Sequence, residues 1–276
     1  MEKNQKDERF LLLCAAAGVL LILILGWQLY GILFPGSGSE SDAVSTVQET
    51  ETAALPDQGV IQESLPAETD LVKRTERTID FEALWGKNKD VYAWIEVPGT
   101  AIDYPILRHP TNDTYYLNYN MDGTKGYPGC IYTENLNSKD FTDNNTVLYG
   151  HNMKNGTMFA GLHNFADKDF FTENNQVIIF LPDRTLYYEI FAAYKYDDRH
   201  LLQSFDFADE DVYANYLAAI YENKDSAANI NRESIVTGEE TIITLSTCVA
   251  NQDDKRYLVQ AVLREEVPLE ETLQAE

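Results

Sequence analysis

Apolar residues are distributed along this chain in one unbroken run, in short alternating runs, and in two stretches with helical spacing. The unbroken run covers residues 10–34 without a charged side chain. As a helix it would measure about 38 Å, enough to cross a hydrocarbon core of about 30 Å. Trp27 and Tyr30 lie near its far end, where amphipathic rings suit a membrane–water interface. A cleaved signal peptide shares the charged start and apolar middle, but this run exceeds the usual length of its apolar region, so an uncleaved transmembrane signal-anchor is expected. Further along, residues 92–95, 102–107, 129–133, 146–149, 177–181, 186–196, 241–245 and 256–263 are short runs rich in β-branched and aromatic residues. Pro98-Gly99 and other turn residues divide them, and eight or so such strands predict an all-β barrel. Helical spacing occurs over 71–89, with Thr78 or Asp80 as a cap for a second short helix, and over 209–224. In the latter, Val212, Tyr213, Tyr216, Leu217, Ile220 and Tyr221 form one apolar stripe of an amphipathic helix. No internal repeat is evident.

Charge divides the chain into segments. Asp and Glu number 45 against 21 Lys and Arg, for a net charge of −24. Residues 1–9 hold Lys3, Lys6 and Arg9 balanced by three acids, and no Lys or Arg follows until Lys73. That asymmetry places residues 1–9 in the cytoplasm as a short tail and everything after residue 34 outside the cell membrane. Residues 35–70 contain eight acidic and no basic residues among Ser, Thr, Gly, Pro and Ala. So little apolar surface cannot offset the entropy of ordering, and a disordered extracellular stalk is expected. The folded domain is expected over 71–264, followed by an acidic tail over 265–276. A domain of this acidity argues against nucleic-acid binding, which needs basic patches.

The candidate chemistry sits at strand ends. The run Thr244-Leu245-Ser246-Thr247-Cys248 ends a strand on a thiol, and Arg256 opens the next strand after a polar loop, so the two side chains meet at one end of a hairpin. Alternation puts Ser246 and Cys248 on one face and Ile243, Leu245 and Thr247 on the other. A guanidinium beside a thiol favours the nucleophilic thiolate, although a lone strand-end Cys also reads as a small buried hydrophobe. A second strand, stopping at Tyr149-Gly150, presents His151, a residue able to orient or protonate a substrate group. Cys130 reads as a core residue, and Cys14 falls in the apolar run. His109, His163 and His200 lie in no comparable motif, and His163 reads as a surface or packing residue of a helix over 158–165. No metal-ligand spacing and no Gly-rich phosphate loop occurs, so neither metal nor cofactor is expected.

Tyr149-Gly150-His151-Asn152-Met153, Thr244-Leu245-Ser246-Thr247-Cys248 and Arg256, in that order, resemble the His, Cys and Arg trio of sortases, the cysteine transpeptidases of Gram-positive surfaces. Trp94-Ile95, Ile102-Asp103-Tyr104-Pro105-Ile106 and Lys154-Asn155-Gly156-Thr157-Met158-Phe159 resemble the class B branch, and the likeness covers roughly residues 70–264. It implies an eight-stranded sortase-type β-barrel with N-terminal helices and a long helix between the sixth and seventh strands. It also implies catalysis by His151, Cys248 and Arg256, with Leu117, Tyr149, Ser246 and Thr247 lining a peptide groove. The implied reaction cleaves a C-terminal sorting signal of a secreted protein after Thr, through a Cys thioester. The acyl group then passes to an amine of a peptidoglycan precursor or a pilin. Two other readings stay open: a cysteine peptidase with water as acceptor, and a non-catalytic surface-binding module. In papain-like enzymes the Cys precedes the His and opens a helix, an order opposite to this one.

The segment pattern predicts that protease added to intact cells cuts within residues 35–70 and releases a soluble domain, because that backbone has no packed surface to protect it. Immunoblotting of the medium reads the outcome, and a carboxyl end protected in sealed cells would reverse the assigned orientation.

Overall fold

The computed structural model describes residues 73–269. The apolar run and the stalk expected over 10–34 and 35–70 lie outside them. Among the described residues no helix is long and apolar enough to cross a membrane.

Helix α1 (Phe81–Lys87) leads into β1 (Val91–Glu96) and β2 (Asp103–Leu107). The short helix α2 (Tyr115–Asn118) precedes β3 (Ile131–Tyr132) and β4 (Asn145–Tyr149). A 3-10 helix (Phe159–Ala166) and α3 (Lys168–Glu173) follow, then β5 (Gln176–Phe180) and the long β6 (Arg184–Asp197). Helices α4 (Leu201–Ser204) and α5 (Glu210–Tyr221) come next, then the two-residue β7 (Asn229–Ile230), β8 (Ile242–Val249) and β9 (Gln252–Pro268). The pairing order β5-β1-β2-β3-β4-β8-β9-β6 closes on itself through a β5–β6 ladder, so eight strands make a barrel, and β7 is a short addition to β6. Two pairs are parallel, β2 with β3 and β4 with β8; the rest of the ring is antiparallel.

Alternation along the strands sorts side chains to two sides. Ile95, Ile106, Leu148, Ile179, Ile243, Leu245, Val259 and Ala261 fill the interior. Fully burying an aliphatic side chain of the Val, Leu or Ile kind contributes about 1.5–3 kcal/mol. Val147, Ile242, Leu258 and Val262 point outward and are covered by Tyr213, Tyr216, Leu217 and Ile220 of α5. Covering the outer face explains why β4 and β8 are buried on both faces along most of their length. Helix α5 starts where Asp209 accepts a hydrogen bond from the Val212 N–H, with Glu210 and Asp211 in the first turn near the positive end of the helix dipole.

Gln260 interrupts the apolar outer layer and is completely buried. Tyr194 Oη donates to Gln260 Oε1 at 2.9 Å, and Gln260 Nε2 donates to Tyr216 Oη at 2.8 Å and Thr244 Oγ1 at 2.9 Å. Thr244 Oγ1 in turn donates to Asn145 Oδ1 at 2.8 Å, so one network ties β6, β9, α5, β8 and β4.

The structure departs from the sequence expectations at three boundaries. Helical spacing over 71–89 overstates the helix: residues 73–80 are not helical, and α1 starts only after Asp80, whose carboxylate accepts from the Ala83 N–H. The preceding segment is held by the barrel instead, with the Thr75 N–H donating to Tyr187 Oη at 3.1 Å and Arg77 paired with Glu96 at 2.7 Å. Between β8 and β9 the expected seven-residue loop is a tight turn. Asn251 takes a left-handed φ of 60°, and β9 begins at Gln252. Strand β9 also continues past residue 264 to Pro268, so Glu265 and Glu266, expected in the acidic tail, pair with Tyr187 and Leu186.

Replacing Gln260 with Leu should destabilise the domain by about 2–4 kcal/mol, since it strands several buried hydroxyl and amide groups at once. Urea unfolding of the parent and variant measures this; a difference under about 0.5 kcal/mol would mean that the network contributes nothing net.

Candidate active site

Outward-pointing positions of β4, β8 and β9 place Tyr149, Ser246, Cys248, Arg256 and Leu258 on one patch of the barrel's outer face. Strands β3 and β6 add Tyr132 and Tyr196, and all seven line a cavity of about 280 Å³. Leu117 of α2 borders the same cavity, and so does Thr247. Every residue expected at the site from the sequence, His151, Cys248, Arg256, Leu117, Tyr149, Ser246 and Thr247, borders this one space.

Two register facts place the thiol. Strands β4 and β8 run parallel with Tyr149 beside Ser246, and Cys248 lies directly across the β8–β9 hairpin from Arg256. Cys248 is exposed, whereas Cys130 is buried and its Sγ lies 3.5 Å from the Tyr119 carbonyl. Burial, with the charge of Asp122 adding to it, pushes the Cys130 thiol up to about 12, far from the thiolate form at neutral pH. Of the two described cysteines only Cys248 is open to solvent.

His151 is set by the end of β4. The Gly150 N–H donates to the Ser246 carbonyl at 3.3 Å, and Thr247 Oγ1 donates to the Gly150 carbonyl at 2.8 Å. A Cβ at Gly150 would sit 2.5 Å from Ile131 Cδ1 and 2.7 Å from Phe159 Cγ, so glycine lets the chain turn against the core at this point. His151 Nε2 lies 2.8 Å from the Leu117 carbonyl oxygen. A carbonyl only accepts, so Nε2 carries a proton and Nδ1 is the atom left to exchange one. The exposed ring of Tyr127 covers the imidazole at a centroid distance of 4.9 Å.

Arg256 Nη1 donates to the carbonyls of Asp253 at 3.0 Å and Lys255 at 2.9 Å. These bonds hold one corner of the guanidinium against its own hairpin, and Nη2 and Nε remain as a donor edge.

Part of the lining carries no signal in the sequence. Glu134 Oε2 and His200 Nε2 pair at 2.7 Å on the cavity wall. Burial raises the Glu134 carboxyl, and the His200 hydrogen bond only partly opposes this. Tyr149 Oη is buried without a hydrogen-bond partner among the described residues, and burial holds that phenol protonated. Glu134 and His200 are far apart in sequence, and neither sits in a motif, so no local signal joined them.

The site and fold have relatives. The sortase-domain family model matches residues 95–264. Sortase B of Listeria monocytogenes is 36% identical over 179 residues, covering 64% of this chain and 70% of the relative. The crystal structure of Clostridium perfringens sortase B matches with a TM-score of 0.60 and 31% identity, covering 67% of this chain and all of that one. A Streptococcus pyogenes class B sortase involved in pilus biogenesis matches at a TM-score of 0.58 and 30% identity, covering 67% of this chain and 98% of that one. The barrel with its helix between the sixth and seventh ring strands, the exposed strand-end thiol and these likenesses agree: the chain belongs to the sortase family, in its class B branch, and is a cysteine transpeptidase.

Proposed function

We propose that this sortase is held at the cell membrane by residues 10–34 with its catalytic domain outside, and that it joins secreted proteins carrying a C-terminal sorting signal to an amine. The observation that carries the reading is the single cavity bordered by the exposed Cys248 thiol, His151 and Arg256.

In the first half-reaction the Cys248 thiolate attacks the carbonyl carbon of the signal's Thr, forming a C–S bond and a tetrahedral oxyanion. Collapse breaks the C–N bond, and His151 as imidazolium gives its Nδ1 proton to the leaving amine, leaving a thioester acyl-enzyme. In the second half an amine attacks the thioester, Nδ1 takes its proton, the new C–N bond forms and the thiolate leaves. The Nε2–H bond to the Leu117 carbonyl keeps the imidazole oriented through both steps. The Nη2 and Nε edge of Arg256 hydrogen-bonds the peptide or the oxyanion. Leu117, Tyr149, Ser246 and Thr247 form the wall against which the signal lies. The acceptor is an amine of a peptidoglycan precursor or of a pilin; the pilus-building S. pyogenes relative favours keeping the pilin in view. An Asn-Pro-x-Thr signal is the first donor to test.

Mixing the domain with that peptide and a primary amine, and weighing the products, separates ligation from hydrolysis and from no reaction. Cys248→Ala should abolish both cleavage and transfer with the melting temperature unchanged, because the buried Cys130 cannot substitute for it. Cleavage retained in that variant would end the assignment of the nucleophile.

Arg256→Lys should lose roughly 10²–10³ in transfer rate, close to the loss in Arg256→Ala. A Lys ammonium keeps the positive charge opposite Cys248 but has no planar second edge once it bonds the hairpin carbonyls. A Lys variant with near-parent transfer would show that the charge alone, and not the fork, is needed.

A further inference from the structure

Strand β8 loses a neighbour just before the nucleophile. Its parallel ladder with β4 ends at Tyr149 beside Ser246, and the last backbone bond on that side runs from the Gly150 N–H to the Ser246 carbonyl. Backbone groups alternate sides along a strand, so the Cys248 carbonyl faces the place where β4 has already turned away. Two side chains occupy that place. Asn152 Nδ2 donates to the Cys248 carbonyl oxygen at 3.0 Å, and His163 Nε2 lies 3.1 Å from the same oxygen. Asn152 Nδ2 and His163 Nε2 are themselves 3.0 Å apart, so the three groups form one cluster.

The fold delivers both side chains to this point. Asn152 follows His151 directly, and the loop it opens is closed by a bridge between Asn152 and Met158. The Phe159 N–H donates to the His151 carbonyl at 2.9 Å, which joins the start of the 3-10 helix to the base of His151. That helix sinks Phe159, Leu162 and Phe165 into the barrel core, which leaves His163 at the rim, its ring 4.9 Å from the ring of Tyr257 on β9. Neither Asn152 nor His163 borders the peptide cavity; they stand behind the thiol.

We infer that His163 and Asn152 are positioning residues that clamp the Cys248 carbonyl in place of the missing strand, fixing the direction of the thiol relative to His151. The inference rests on Cys248 being the nucleophile. Two proton arrangements serve equally: Nε2–H of His163 donates to the carbonyl, or Nε2 accepts the second Asn152 N–H and braces that amide while its first N–H holds the carbonyl. Either way the nitrogen of His163, not its ring, is what matters. A misplacement of reacting groups by about 1 Å costs up to 10²-fold in rate, so loss of one of two clamping bonds is expected to cost roughly tenfold.

Two substitutions separate the nitrogen from the ring. His163→Phe keeps a ring against Tyr257 and removes the nitrogen; His163→Gln removes the ring and keeps an amide able to donate or accept at the Nε2 position. Transfer from the Asn-Pro-x-Thr peptide to hydroxylamine gives kcat and KM, and iodoacetamide labelling of Cys248 gives a readout that needs no donor peptide. His163→Phe should lower kcat about tenfold with KM within about twofold, and should slow labelling, while His163→Gln stays within about threefold of the parent in both. The clamp is refuted if His163→Phe matches the parent, if Gln is as impaired as Phe, or if KM rises with kcat unchanged. Should His163→Phe fail to melt cooperatively, Asn152→Ala carries the same expectations and the same refutation. Cys248→Ala runs beside them: transfer retained there would overturn the nucleophile assignment, whereas an inactive Cys248→Ala with a parent-like His163→Phe overturns the clamp alone.

Discussion

The parallel pairing of β4 with β8 is the constraint on which the site depends, because parallel strands bring their carboxyl ends to the same rim of the barrel. With Tyr149 beside Ser246, Cys248 stands two residues further along the outward face of β8, and His151 follows the turn at Gly150 to border the same cavity. Adjacent strands lie about 4.8 Å apart, so this register brings the strand ends that carry the imidazole and the thiol to one cavity. The antiparallel β8–β9 hairpin then fixes Arg256 opposite Cys248 from the other side. A slip of one residue in β8 would send Cys248 into the barrel interior and Thr247 out, so the packing of Ile243 and Leu245 in the core also holds the Cys248 thiol outside it.

That dependence explains what could be read from the chain. Apolar alternation within residues 241–245 already set the face of Cys248, since burial of Ile243 and Leu245 leaves Ser246 and Cys248 pointing outward. The stripe from Val212 to Tyr221 marks the covering helix, whose expected span 209–224 exceeds the observed one by three residues at its carboxyl end, because a one-sided apolar face is a local signal and the stripe itself stops at Tyr221. The short β8–β9 turn was not legible, because it depends on Asn251 adopting a left-handed backbone that the polar run around it does not require. Neither was the Glu134–His200 pair, which exists only because β3 and the end of β6 meet across the cavity. The helix around His163 marks it only as a surface or packing residue, and its contact with the Cys248 carbonyl follows from where the ladder of β4 stops.

A cavity at a barrel rim requires strands to end, and each strand that ends leaves carbonyls without ladder partners. Buried or half-buried carbonyls left unpaired cost roughly 1–3 kcal/mol each, so something must replace the lost strand. Here the replacements are side chains of the site itself. Where the β4–β8 ladder ends, Thr247 holds the Gly150 carbonyl and Asn152 the Cys248 carbonyl; in the same way His151 bonds the Leu117 carbonyl of α2, and Arg256 the carbonyls of Asp253 and Lys255 in its own strand. A side chain bonded to fixed backbone loses rotamer freedom when the protein folds, before substrate arrives. The entropy of aligning imidazole and guanidinium is therefore largely met by folding rather than by binding. The same bonds assign each group its free edge: Nδ1 of His151 and the Nη2 and Nε edge of Arg256 are what remain once the carbonyls are satisfied. Hydrogen bonds to backbone carbonyls around the rim thus also orient the side chains proposed as catalytic, which is why Thr247, in the cavity wall, and Asn152, outside it, both bond backbone beside the site.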